Sequence, residues 1–372
     1  MAKFRDYYFK RESSVNDSDT VIIDINVKDP ISYITIEYEA TNGSTSCLDH
    51  ELHDDVTKIE LVDGSNVIFS TDMKELIGLN FFELGKLPHA KLSEVGGETQ
   101  EESCIMHFGR YPDDLEYYLD PTKFKNLQLR LTHSLTISST AGFATGTCKI
   151  TVKARLIEEG AKPQKGYIFT KEKRYWTTAS SGDETTDLPT DYPYRMLLGQ
   201  FLLSTYRPDE IVSKWKLSCD ADAYVPFNMY LEDVMDLNQR RLGYAQQFKK
   251  LLTADDGTAL LDIYDIRKAH ITSLADDHIA TIEAIDAEKV SVGLYDFTSP
   301  ATPAFQTTAK NCLVDVEGVC PQAMVCHYFG DPNDPDSWLD AKLFKDIKLY
   351  CTQATANASA KIVLVQVAPP QV

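Results

Sequence analysis

Apolar residues recur at every second position in several short stretches of this chain. Leu127-Gln128-Leu129-Arg130-Leu131-Thr132 and Ile150-Thr151-Val152-Lys153-Ala154-Arg155-Leu156 alternate with period two, and Ile31-Ser32-Tyr33-Ile34-Thr35-Ile36-Glu37-Tyr38 is rich in β-branched and aromatic residues. Successive side chains of a strand point to opposite faces, so these runs predict half-buried strands. Two segments read as helix instead. Thr71 or Asp72 can cap a helix over 73–84 that Gly85 terminates, and 230–242 ends in the same way at Gly243. Turn chemistry separates the strands at Tyr111-Pro112-Asp113-Asp114 and at Asp331-Pro332-Asn333-Asp334-Pro335.

The pattern is written twice. His107-Phe108-Gly109 precedes Leu119-Asp120, Phe124-Lys125, Leu129 and Thr132; His327, Phe329 and Gly330 precede Leu339-Asp340, Phe344-Lys345, Leu349 and Thr352. From the Leu-Asp pair onward the spacing is a constant 220 residues (119 to 339, 124 to 344, 132 to 352). Upstream, Val67-Ile68-Phe69-Ser70 with Leu79-Asn80 and Leu84-Gly85 corresponds to Val225-Pro226-Phe227-Asn228 with Leu237-Asn238 and Leu242-Gly243, at a spacing of 158. Two similar domains in tandem follow, the second carrying 62 extra residues, the difference between 220 and 158. On this reading His107 and His327 are equivalent, and Phe124 and Phe344 are expected at equivalent buried positions.

The boundaries expected are an N-terminal arm over 1–19, a first domain over 20–158, a linker over 159–190, and a second domain over 191–372 with an inserted loop at 244–310. The arm mixes Phe4, Tyr7, Tyr8 and Phe9 with Lys3, Arg5, Lys10 and Arg11, which fits either a docking arm for a neighbour or an anionic membrane, or a frayed end. The linker is rich in Gly, Ser, Thr and charge, with Tyr167-Ile168-Phe169 and Tyr175-Trp176 as apolar anchors. The insertion holds strand or helix candidates at 260–264 and 290–295. Short, regularly spaced strands with few helices point to a sandwich or barrel, and roughly eight strands in 140–160 residues suit a jelly roll. The fold class expected is all-β: two tandem jelly-roll β-barrels, each with one short helix, plus the insertion loop in the second.

Composition narrows the function. At 372 residues the chain exceeds the size of a single core, and 43% hydrophobic with 25% charged residues is ordinary for a folded protein. No stretch reaches the roughly 18 apolar residues of a membrane span, and Met1-Ala2-Lys3-Phe4-Arg5 lacks a signal peptide's apolar segment, so a cytosolic protein is expected. The eight cysteines form no C-x-x-C pair and read as buried free thiols. With 37 basic against 56 acidic side chains the net charge is −19, the wrong sign for gripping nucleic-acid phosphates.

Candidate chemistry is sparse. Hydrolase, metalloprotease, phosphate-loop and dinucleotide motifs are missing from the sequence. His50 and His53, three apart among Asp49, Glu51, Asp54 and Asp55, have a spacing that can ligate a metal, yet an acidic polar stretch reads more simply as a solvated loop. His107 and His327 read as strand-end residues bonding backbone carbonyls, and Asp120 and Asp340 as turn or cap residues. Asn16, Asn42 and Asn357 match the glycosylation pattern, which carries little weight without secretion. No catalytic, cofactor-binding or metal residue is assigned, and no cofactor is expected.

Several stretches resemble a known family. Ile59-Glu60-Leu61-Val62-Asp63-Gly64-Ser65-Asn66-Val67-Ile68 with its following helix, Phe108-Gly109-Arg110-Tyr111 through Leu119-Asp120-Pro121, and Asn126-Leu127-Gln128-Leu129 carry the likeness in the first half. Tyr192-Pro193-Tyr194-Arg195, Lys216-Leu217-Ser218-Cys219-Asp220 and Val225-Pro226-Phe227 carry it in the second. The chain resembles the double jelly-roll major capsid proteins of the tectivirus and adenovirus lineage, in particular those of prokaryotic or uncultured viruses. The resemblance implies barrels standing upright on a virion and a homotrimer of six similar barrels that tiles an icosahedral shell after assembly in the host cytoplasm. It further implies contacts with neighbouring capsomers and with penton and minor capsid proteins, an outward tower at 244–310, and an N-terminal arm near an internal viral membrane. Two other readings are a secreted-type tandem jelly-roll enzyme or carbohydrate-binding protein, for which Trp176, Trp215 and Trp338 would be sugar platforms, and a virion spike.

Overall fold

Alternation translates directly into burial. Over Leu127–Ser134 the side chains of Leu127, Leu129, Leu131 and His133 point inward while Gln128, Arg130 and Thr132 face the rim of solvent. The computed structural model describes residues 2–48, 50–254, 256–274, 278–296, 304–305 and 308–370.

The first half contains β1 (Lys3–Ser14), β2 (Ser18–Asp24), β3 (Ile31–Thr41), α1 (Leu52–Asp55), β4 (Val56–Asp63), β5 (Asn66–Thr71), α2 (Met73–Leu84), β6 (Ala90–Ser93), β7 (Thr99–His107), β8 (Leu127–Ser134) and β9 (Lys149–Glu159). Strands β1-β9-β3-β7 form one sheet and β2-β8-β4-β5 the other, enclosing a shared core. The second half contains β10 (Tyr167–Thr177), β11 (Asp183–Leu188), β12 (Tyr194–Leu202), α3 (Pro208–Ile211), β13 (Val212–Cys219), β14 (Tyr224–Tyr230) and α4 (Leu231–Leu242). It continues through β15 (Ala245–Thr253), β16 (Asp256–Leu260), β17 (Ile263–Ser273), β18 (His278–Asp286), β19 (Lys289–Asp296), β20 (Ala304–Phe305) and β21 (Lys310–Pro321), then β22 (Met324–Tyr328), β23 (Ile347–Gln353) and β24 (Ser359–Ala368). The orders β10-β24-β12-β22 and β11-β23-β13-β14 repeat those of the first half strand for strand. This is a double jelly roll, as the periodicity predicts.

Repetition extends to single hydrogen bonds. Asn80 on α2 grips both backbone groups of Ile105, at 2.7 and 2.8 Å, and Asn238 on α4 grips those of Cys326 at 2.7 and 2.9 Å. Asp63 accepts from the amides of Lys125 and Asn126, and Asp220 from those of Lys345 and Asp346. Asp120 and Asp340 each cap a single 3-10 turn, which agrees with the turn role expected of them. The two longer helices also form where capping chemistry places them. Asp72 accepts from the Glu75 amide, Gly85 ends α2 at φ 71°, and Gly243 follows α4. The single turns α1 and α3, each leading into the fourth strand of its roll, are additional to the one helix per roll expected. Phe124 and Phe344 occupy equivalent places after these 3-10 turns, but both are half-buried rather than buried.

Three boundaries differ from the expectation. Residues 3–14 are not an arm: β1 pairs with β9 from Lys3↔Glu159 to Ser14↔Lys149. Most of 159–190 is β10 and β11, so the true connection is 160–166. The insertion is no loop. Strands β15, β21 and β17 extend the first roll's sheet through a parallel contact of Lys249 with Leu92 and Lys250 with Ser93, while β16-β19-β18, with β20 on β19, form a small separate sheet. Ala259, Leu261, Ile263, Val290, Val292 and Leu294 join the first roll's core. Residues 255, 275–277, 297–303 and 306–307 of the insertion lie outside the described residues, as does Asp49.

Two outcomes are expected. Deleting 244–310 should abolish soluble protein, because it takes β15 from β6 and both β15 and β17 from β21; a soluble deletion with an intact β-type circular dichroism spectrum would contradict the shared core. Asn80→Ala and Asn238→Ala should each lower the urea unfolding free energy by about 1–3 kcal/mol by orphaning buried backbone groups, and equal losses at the two sites would verify their equivalence.

Candidate functional site

The densest chemistry lies where the inserted strands meet the first roll. His53, from the α1 turn, is fully buried, against the expectation of a solvated loop. Its Nδ1 is 2.9 Å from Glu102 Oε1 on β7, its backbone amide donates to the other Glu102 oxygen at 2.9 Å, and its Nε2 is 3.2 Å from Asp262 Oδ1, between β16 and β17. Gln247 on β15 donates to the second Asp262 oxygen at 2.7 Å. Beside this group the Lys249 ammonium reaches Glu51 and Glu94 as well as the Leu260 carbonyl. Lys74 pairs with Asp54 nearer the surface. His50 is held apart by Asp55 at 3.0 Å.

Burial and charge act against each other here. Desolvation disfavours the imidazolium, but Asp262 and Glu102 on its two edges hold the His53 pKa well above its usual value. Asp262, which burial alone would raise, is held far below the usual carboxylate range by His53. Lys249 stays charged because Glu51 and Glu94 outweigh its desolvation, whereas burial pushes Glu51 up to about 8 despite Lys249. His53, Glu102 and Asp262 are the one group among the described residues whose ligand atoms lie close enough to share an ion. With Glu102 on Nδ1 and Asp262 3.2 Å from Nε2, the imidazole also ties two pieces of chain together. A cleft of about 470 Å³ borders it, walled by Glu102, Asp262, Ser103, Gln247, Tyr244 and Phe248. His53 stands out in the sequence, but its partners lie 49 and 209 positions away along the chain.

His107 and His327 are not equivalent. The amide of Phe108 donates to Ser32 O and that of Phe329 to Arg195 O, while His107 pairs with Tyr33 and Tyr328 with Met196. Tyr328 therefore matches His107, and His327 matches Met106; a slip of one residue turns a side chain to the other face. Neither histidine bonds a carbonyl in the way expected. Burial lowers His107 to about 3, with Arg195 adding to the effect, and lowers His327 to about 4; His107 Nε2 is buried without a partner. Trp176, Trp215 and Trp338 are all buried, so none offers a sugar platform. The eight cysteines are free and buried, as expected. Asn42 is buried and donates to Ser93 O and Val95 O, leaving no room for a glycan.

A second polar tie joins the rolls. Arg195 on β12, 2% exposed, donates to Glu83 on α2 at 2.8 Å, to Arg110 O at 2.7 Å and to Pro332 O at 3.0 Å. Burial lifts Glu83 to about 7 against that guanidinium. Lys361 on β24 pairs with Asp72 and lies 3.4 Å from both Glu75 and Glu172, and the Tyr328 hydroxyl donates to Phe82 O at 2.8 Å. The chemistry of both clusters is mechanical: each fixes one element against another.

The His53 tie sets an expectation for stability. His53→Leu leaves two buried carboxylates without their cation and should cost about 3–5 kcal/mol near pH 7. Because the folded His53 pKa is raised, its contribution is full below about pH 6.5 and declines as pH rises towards the folded value. Glu51, also raised, has the same sign. The wild-type urea midpoint should therefore fall between pH 6.5 and pH 9, and a midpoint that rises over that interval would contradict the assignment.

Comparison by sequence matches no protein family and no curated protein. Comparison by structure does. The STIV MCP superimposes with a TM-score of 0.59 at 10% identity, covering 99% of this chain and 98% of that one. A chain from the atomic structure of Sulfolobus Turreted Icosahedral Virus gives 0.58 at 10% identity over 100% and 90%. The major capsid protein P2 from Bacteriophage PM2 gives 0.52 at 8% identity over 98% of both chains. From end to end, insertion included, the chain has the double jelly-roll fold of these capsid proteins.

Proposed function

We propose that this chain is a viral major capsid protein, a structural subunit of the virion rather than an enzyme, and that it assembles as a homotrimer of six similar rolls. The observation that carries the reading is the duplicated roll itself, joined into one body by a continuous sheet and buried ion pairs. One polypeptide with two near-equivalent halves can fill a hexagonal tile in three copies while each half diverges for its own contacts. End-to-end similarity to capsid proteins supports this over a tandem glycan-binding module, whose aromatic platforms would have to come from tryptophans that are here buried. Neighbouring capsomers are then its principal partners, with penton and minor capsid proteins at the edges of the lattice. The net charge of −19 favours a shell surface over a genome-binding one. With residues 3–14 committed to a strand, a membrane contact through a free arm is dropped from the proposal.

The purified full-length chain should elute as a single species of three chains by light scattering after size exclusion, with a hexagonal outline in negative stain. A monomer at every concentration tested would refute the capsomer.

A further inference from the structure

The rolls of one chain meet through a specific contact, and its counterpart on the other side of the second roll is vacant. Within the chain, β10 lies parallel to the edge strand β5, with Lys171 opposite Ser70, and so covers an edge that would otherwise end the sheet. Tyr167 of β10 packs edge-on against Phe124, with ring centroids 6.1 Å apart, and Phe169 and Tyr192 continue the aromatic row. The helix above that edge, α2, is buried nearly all round: Gly78 faces Met324, and Glu83 pairs with Arg195.

In the second roll the equivalent edge is β14, which ends its sheet. Tyr224 is 50% exposed, and Leu343, where the first roll has Lys123, is 75% exposed. Tyr224 stacks flat on Phe344, the counterpart of Phe124, beside a groove of about 650 Å³ lined also by Pro226, Phe329 and Trp338. Helix α4 leaves Asp236, Leu237, Arg240 and Arg241 exposed, at the positions where α2 has Gly78, Leu79, Phe82 and Glu83. Helix α2 is thus closed in by the second roll, whereas α4 keeps an open face on which Leu237, 50% exposed, stands among charged side chains.

The strand equivalent to β10 is β1. Tyr7 pairs with Ala154 on β9, and Lys171 pairs with Leu364 on β24; Ala154 and Leu364 in turn pair with Ile34 and Leu197 at matching places in β3 and β12. β1 is the outer strand of its sheet, and Tyr7 and Tyr8 are 39% and 48% exposed. Among the described residues, β1 has no strand on its outer side and β14 has none beside its free edge.

We infer that β1 of a second copy of this chain lies parallel to β14, with Tyr7 opposite Asn228, repeating between chains the contact that β10 makes with β5 within one. Asn228 is the counterpart of Ser70, since Ser70 pairs with Glu60 on β4 and Asn228 with Lys216 on β13 at matching register. The contact is head-to-tail, so it cannot make a two-fold dimer, and three copies joined by it form the ring of the proposed homotrimer. It joins β11-β23-β13-β14 of one chain to β1-β9-β3-β7 of the next and leaves neither edge bare. The inference rests on the homotrimer proposed above and names the surfaces that build it.

The test is a cross-link in the full-length chain. Adjacent strands lie about 4.8 Å apart, within disulfide reach, and the native cysteines are buried. Tyr7→Cys combined with Asn228→Cys should give a covalent three-chain species on non-reducing electrophoresis after mild oxidation, while each single variant stays at one chain. Leu237→Asp, on the open face of α4 where α2 has the buried Leu79, should convert the trimer to folded monomer. A wild type that is trimeric by light scattering, with no cross-link in the Tyr7→Cys, Asn228→Cys double variant and no loss of trimer in Leu237→Asp, would overturn this interface and leave the capsomer standing. A wild type that is monomeric throughout would overturn both.

Discussion

A strand at the border of a sheet exposes a row of amide and carbonyl groups that invite pairing, and the management of such borders governs this molecule. The first roll ends at β5, and β10 closes that border by crossing from the second roll. Because β10 also pairs along its whole length with β24, closing the border joins one sheet of each roll into a single sheet of eight strands. The consequences run outward from there. Helix α2 becomes an interior helix whose polar side chains must all be tied; Arg195 loses its water and must find Glu83 and two carbonyls; Lys361 gathers Asp72, Glu75 and Glu172.

Comparison of the halves separates what the fold requires from what the surfaces have changed. The elements present in both are ties from side chain to backbone: Asn80 and Asn238 clamping a neighbouring strand, Asp63 and Asp220 holding a pair of turn amides, Asp120 and Asp340 capping a 3-10 turn. Each fixes chain direction whatever the neighbouring side chains, so two diverging copies can keep it. The positions that differ face outward or face the other roll: Ser32 against Arg195, His107 against Tyr328, Gly78 against Asp236, Lys123 against Leu343. A duplicated catalytic pair would have required the opposite, fixed side chains on a shared surface.

Much of this was legible in the chain, and the failures have physical causes. The strands of the first roll and both long helices follow from period-two alternation and capping residues, because each buries one face. Strand β1 has side chains exposed on both faces, so it has no hydrophobic period and reads as an arm. Strands β10 and β11 are buried at one end only, and their exposed ends read as linker. The buried charges were the least legible: a run of His, Asp and Glu looks solvated unless its partners are known, and the partners of His53 come from β7 and from the insertion. The pairing of His107 with His327 failed by one residue, the extra one between His327 and Phe329, which only register can detect.

The inserted strands show why burying those charges is useful to the fold. Ala259, Leu261, Ile263, Val290, Val292 and Leu294 already give the insertion an apolar continuation of the first core, but apolar contact is non-directional and tolerates sliding. The parallel contact between β6 and β15 covers only two residue pairs, too few to hold a register alone. His53 bridging Glu102 and Asp262, and Lys249 bridging Glu51 and Glu94, add ties that work in a single orientation. A slip of one residue would reverse the side chain of Lys249 and leave buried carboxylates with no cation. Such ion pairs add little net stability over apolar replacements, while breaking them is severe, so their effect is to penalise every alternative docking. On this argument the register of β15 on the first roll is fixed by the charge cluster beneath it more than by the short strand contact itself.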